Sequence, residues 1–130
     1  MNPLSCEGTS QQIQFIETTT VRDGVECDIY SFENDNTKDL GIIRISPGKK
    51  TPLQKVLKGE KTLEGYISGN GCLEITKHDG DKIIHEGKEG LEVEVLIGET
   101  MQWIANEDST LEVYEICYPP YEEGRFKNID

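Results

Sequence analysis

Apolar positions along the chain show almost no helical spacing. Short segments rich in β-branched and aromatic residues recur instead, each ended by Gly, Asn, Asp or Pro. They predict strands over residues 12–17, 25–32, 40–46, 62–68, 72–77, 82–85, 91–95, 100–105 and 111–117. Leu91-Glu92-Val93-Glu94-Val95 alternates strictly, which puts its apolar side chains on one face and its carboxylates in solvent.

The segments between these strands carry turn chemistry. Ser68-Gly69-Asn70-Gly71 and His78-Asp79-Gly80-Asp81 supply residues that tolerate positive φ in tight hairpins, and Asn106-Glu107-Asp108-Ser109 reads as a further polar turn. Residues 33–39 are polar enough to predict a mobile loop. Pro119 and Pro120 stop the last strand, because neither can donate a ladder hydrogen bond, and the tail beyond them is expected to cross the outside of the fold. Many short strands with regular turns predict an all-β sandwich or barrel.

Composition narrows the function. A chain of 130 residues suits one domain, and 35% apolar with 29% charged content is ordinary for a soluble protein. The net charge of −12 argues against nucleic acid and against anionic membrane surfaces as partners. Met1-Asn2-Pro3-Leu4 shows no basic segment followed by an apolar one, so a cytoplasmic location is expected. Cys6, Cys27, Cys72 and Cys117 form no C-x-x-C pair, and reduced thiols are the matching expectation.

The segment from Ser46-Pro47-Gly48 to Gln54-Lys55-Val56 resembles the first motif of the cupins, in which a Pro-Gly turn precedes a His-x-His pair on a barrel strand. Gln54 and Val56 stand at the two histidine places. The family's glutamate maps to Glu64 when counted back from Gly71, and to Thr62 when counted back from Gly69. Gly90, Leu96-Ile97-Gly98, Gln102 and Asn106 are similar in spacing to the second motif, with Gln102 at the third histidine place and one residue inserted. The resemblance implies a double-stranded β-helix, or jelly-roll barrel, in a single cupin-like domain. Residues 1–39 would give N-terminal strands and a loop, 40–117 the barrel core, and 118–130 a tail.

With an amide, a valine and a second amide at the ligand places, the resemblance implies a barrel without a metal or other cofactor. Gln54, Val56, Thr62, Glu64, Tyr66 and Gln102 are then the candidate ligand-binding residues, with Gln54, Glu64 and Gln102 expected to share one cavity. Trp103, beside Gln102, is expected to face the other way. Lys49, Lys50, Lys55, Lys58 and Lys61 cluster near the first motif, either as a solvated loop or as a lure for an anion. Three functions stay open. The barrel binds a small polar molecule; or it is a metal-independent acid–base enzyme (an isomerase, epimerase or lyase) using Glu64 with Tyr66 or His85; or it serves as a homodimerisation module.

Overall fold

The structure, a computed structural model, describes residues 12–130; Cys6 and the Met1–Leu4 segment lie outside them. Among the described residues eleven strands form: β1 (Ile13–Arg22), β2 (Val25–Phe32), β3 (Asp35–Ile45), β4 (Gln54–Val56), β5 (Lys61–Ser68), β6 (Gly71–Thr76), β7 (Lys82–Glu86), β8 (Glu92–Val95), β9 (Thr100–Ala105), β10 (Leu111–Tyr118) and β11 (Phe126–Asn128). They assemble into a six-stranded sheet ordered β1-β2-β3-β10-β5-β8 and a five-stranded sheet ordered β11-β4-β9-β6-β7. Every pairing is antiparallel. The two sheets face each other as a jelly-roll barrel, the all-β architecture that the turn spacing predicts.

Period-two alternation decides what lies between the sheets. From the larger sheet come Val25, Ile45, Val95, Leu111 and Val113; from the smaller come Val56, Leu73, Ile75, Met101, Trp103 and Ala105. All of them are buried and form one core, and burying a side chain of this kind contributes about 1.5–3 kcal/mol. A second cluster of Phe32, Leu40, Ile42, Tyr114 and Ile116 covers the opposite face of the larger sheet. There Tyr114 lies over Gly65, where a methyl group would stand 2.0 Å from the ring carbon Cζ, and its hydroxyl donates to Glu92.

The hairpin between β5 and β6 turns where the sequence places it. Gly69 has φ of +93°, and a Cβ there would meet the Thr110 carbonyl oxygen at 2.0 Å, so this turn excludes any side chain.

Three expectations need correction. The polar stretch 33–39 is not a loop, because Asn34 takes a positive φ in a tight turn and β3 starts at Asp35. Lys38 then lies over the rings of Phe32 and Tyr118, which explains how a polar sequence is held in a strand. β1 runs five residues past its expected end at Glu17, as far as Arg22, through threonines that pair with β2. The tail does not simply cross the exterior: after Pro119 and Pro120 it returns as β11, pairs with β4 and extends the smaller sheet.

Candidate functional site

Strand β5 turns Thr62, Glu64 and Tyr66 toward the barrel interior, since alternate residues share a face. Opposite them on β10 stand Cys117, Glu115 and Val113, and on β8 Thr62 and Glu64 face Val95 and Val93. Two carboxyl groups are thereby brought side by side inside the barrel. Glu64 is 1% exposed; its Oε1 accepts the Trp103 indole N–H at 2.8 Å, while its Oε2 meets no donor.

A buried oxygen beside another carboxylate is satisfied when one of the two acids keeps its proton. Burial pushes the Glu64 carboxyl well above the usual carboxylate range, and repulsion from Glu115 adds to the rise. Asp39, opposite Cys117 on β3, is also raised by burial, although the Tyr121 N–H, 2.9 Å from its Oδ2, opposes the shift. Burial and the neighbouring carboxylates push the Cys27 thiol up to about 12, and the Cys117 thiol is raised as well. A raised value keeps each in the thiol form, the weaker nucleophile.

One cation closes this end of the barrel. Arg125 precedes β11 and is 1% exposed. Its Nη1 donates to the Pro119 carbonyl at 2.8 Å, and its Nη2 donates to the Lys61 carbonyl at 2.7 Å, the Thr62 hydroxyl at 3.0 Å and the Tyr118 carbonyl at 3.1 Å. Its Nε has no acceptor. These bonds tie the returning tail to the start of β5.

Next to this anchor a cleft of 280 Å³ opens to solvent, lined by Val56, Gly59, Glu60, Lys61, Thr62, Val95, Leu96 and Ile97. Val56 and Val95 belong to the core, so the cleft meets the packed interior at its base. Leu96 and Ile97 stand half-exposed at its rim, on the turn between β8 and β9.

The candidate residues from the sequence are divided by this geometry. Val56 and Thr62 meet in the cleft, Glu64 lies one interior position deeper, and Tyr66 lies deeper again, its hydroxyl donating to the Gly69 carbonyl at 2.8 Å. Gln54 shares its face with Val56, but its amide donates to Asn128 Oδ1 at 3.1 Å at the sheet edge. Gln102 does not enter the shared cavity expected of it. Met101 and Trp103 on either side fill the interior, so Gln102 points away and donates to the Thr51 carbonyl at 2.8 Å. The large indole takes the inward position because burial there also gives its N–H a partner. His85 pairs with Leu73 on edge strand β7, which sets it on the interior side, while His78 is exposed in a turn. Glu115, Asp39, Trp103 and Arg125 were absent from the candidates. The alternation Leu111-Val113-Glu115-Cys117 carries a signal for Glu115, whereas nothing local marks Arg125.

The matched positions do not fit a transition metal. Val56 has no donor atom, Gln54 is engaged with Asn128, and Gln102 lies on the other face. Among the described residues no three His, Cys, Asp or Glu side chains converge in a group able to hold an ion. Nor is any helix among them long and apolar enough to cross a membrane.

Neither a protein-family profile nor a curated protein sequence matches the chain. Solved structures do. Bacillus subtilis oxalate decarboxylase, in a structure concerned with its Mn(II) centres, superposes with a TM-score of 0.69 at 17% identity, over 82% of this chain and 28% of that one. Lactobacillus farciminis oxalate decarboxylase, in a formate complex, gives a TM-score of 0.71 at 14% identity, over 90% and 33%. A third oxalate decarboxylase structure gives 0.70 at 18%, over 89% and 30%. The chain thus has the cupin fold and spans a third or less of the length of these chains.

Proposed function

We propose that the protein binds a small molecule at the open end of its cupin barrel and does so without a metal ion. The cleft carries this reading: Val56 and Thr62, at places that map to a cupin histidine and glutamate, line it together. At 280 Å³ it suits a small ligand, since pockets for drug-sized molecules run from about 300 to 1,000 Å³. Apolar walls with a few polar groups at one end are the usual composition of such sites.

A thermal-shift screen of sugars, nucleotide sugars, amino acids and carboxylates tests the reading. Some member should raise the melting temperature of the wild type, and Ile97→Trp, which fills the cleft from its rim, should abolish that rise. A rise unchanged in Ile97→Trp, or no rise with any compound, would overturn it. One equivalent of transition metal per chain in elemental analysis would overturn the metal-free part.

A second reading, a metal-independent acid–base enzyme, is favoured by the buried Glu64 standing across from the half-buried Glu115, because a buried carboxyl that holds its proton beside a second carboxyl can give and take it. Glu64→Gln should then keep ligand binding and lose turnover. The ten-residue β1, exposed along nearly its whole length and, among the described residues, paired on one side only, supports self-association as a homodimer, which sedimentation would measure. Free Cys27, Cys72 and Cys117 agree with a reducing, cytoplasmic setting.

A further inference from the structure

The turn between β8 and β9 departs from the usual chemistry of turns. The Leu96 carbonyl accepts the Glu99 N–H at 3.0 Å, which closes a β-turn with Ile97 and Gly98 at its corners, and Gly98 takes a φ of +91°. Corner positions favour Gly, Pro, Asn, Asp and Ser. Here a large aliphatic residue stands at the first corner and another directly before it, and both are half-exposed. Single exposed aliphatic residues need no explanation, but neighbouring ones over a concave surface do. Leu96 and Ile97 form the rim of the cleft, and Val56 and Val95 form its base.

This rim is held in place from two sides. The Gly98 N–H donates to the Val56 carbonyl at 2.7 Å, and the Val56 N–H donates to the Glu99 carbonyl at 3.0 Å, so the turn is tied to β4. The Leu96 N–H donates to Glu99 Oε1 at 2.9 Å, and Oε2 of the same buried carboxylate meets the Lys77 ammonium at 3.3 Å. A rim fixed in this way adds little ordering cost when a ligand arrives.

The polar groups around the cleft are turned away from it. The Lys61 ammonium lies 5.6 Å from the centre of the Tyr118 ring, and Tyr118 packs on the cluster outside the larger sheet. The Thr62 hydroxyl and the Arg125 guanidinium are buried behind the wall and bonded to each other at 3.0 Å. The Glu60 N–H is taken by the Tyr118 carbonyl at 2.8 Å, and the residue itself is exposed to solvent. The surface that a ligand meets on entering is therefore aliphatic.

We propose that the cleft reads the aliphatic body of a small amphiphile and leaves its polar head in solvent. The body lies against Val56, Val95, Leu96 and Ile97, and the head, charged or neutral, stays outside the rim. The inference rests on the cleft being the binding site and names what enters it: a short alkyl or branched aliphatic group, as carried by an aliphatic alcohol, acid, amine or amino acid.

Titration of the full chain, followed by NMR at the methyl groups of Leu96 and Ile97, tests it. From 1-butanol through 1-pentanol to 1-hexanol, affinity should rise about fourfold per methylene, the equivalent of about 0.8 kcal/mol for each CH2 taken out of water. At fixed body, 1-hexanol, hexanamide, hexanoate and hexylamine should agree within about threefold, because a charge left in solvent contributes little. Ile97→Ser, at an exposed turn that the core does not depend on, should weaken all four by a similar factor, whereas Glu60→Gln and Lys61→Gln should change none of them. Affinity that differs about tenfold or more between head groups, or that does not grow with the chain, would overturn the aliphatic inference and leave the cleft standing. So would a screen whose hits are lost in Ile97→Trp but carry no aliphatic group. If the two residues respond to no probe and the screen is also silent, the cleft itself is refuted and the inference goes with it.

Discussion

Where Val25, Ile45, Leu111 and Ala105 meet, the barrel interior is apolar and sealed. At the opposite end, the interior positions hold Thr62, Cys117 and Asp39, Arg125 lies behind them, and the wall opens into a cleft. Between the two, Glu64 and Glu115 stand against Trp103. One set of strands builds both ends, and only the residues at successive interior positions change. The sealed end gives the barrel its stability, which lets the other end carry groups that cost stability.

Substitutions can break this contrast. The largest effect is expected at the sealed end. Leu111, fully buried, should cost about 3 kcal/mol when changed to Ala, read by chemical denaturation, with ligand affinity at the far cleft unaltered. A comparable loss of affinity would mean that the two ends are not independent.

The next effect is at the middle of the barrel and has the opposite sign. The folded state holds the Glu64 proton more tightly than the unfolded chain, whose value is near 4.5. The stability this contributes is complete below that value and is lost as pH rises through the folded one. Glu64→Gln imitates the protonated acid and keeps an oxygen for the Trp103 N–H. It should raise stability at pH 8 by on the order of 1–2 kcal/mol and flatten the loss between pH 5 and pH 8. Unchanged pH dependence in this variant would show that Glu64 is not the group responsible.

The smallest effect is expected on the outer surface. Arg44 and Asp28 pair across β3 and β2, and the guanidinium holds the Asp28 carboxyl below its ordinary range. Asp28→Asn should cost about 0.5 kcal/mol, less at high salt, because the pair lies on the outer face and is partly solvated.

The barrel was legible in the sequence because turns and alternation are local. Gly69 and Gly80 mark hairpins through backbone geometry alone, and Leu91–Val95 declares its inner face by its spacing. The three-residue β4 is too short to show a period of its own, and β11 follows two prolines, so neither was readable from pattern. The site was readable only in part. Thr62 and Glu64 follow from strand parity, but the inserted residue assumed in the second motif reversed the parity of β9 and put Gln102 inside in place of Trp103. Arg125 was out of reach for a different reason. Its partners Lys61 and Thr62 are more than sixty residues away, and the pairing exists only once the tail has turned back.

Trp103 has one further consequence. It is the single tryptophan of the sequence, and its indole N–H ends on the Glu64 carboxyl. Excited at wavelengths where only the indole absorbs, the protein therefore emits from one dye with a titrating group attached. As Glu64 gains or loses its proton, the charge beside the indole changes, and the colour and brightness of the fluorescence should change with it. The barrel carries its own optical gauge of the acidity at its centre.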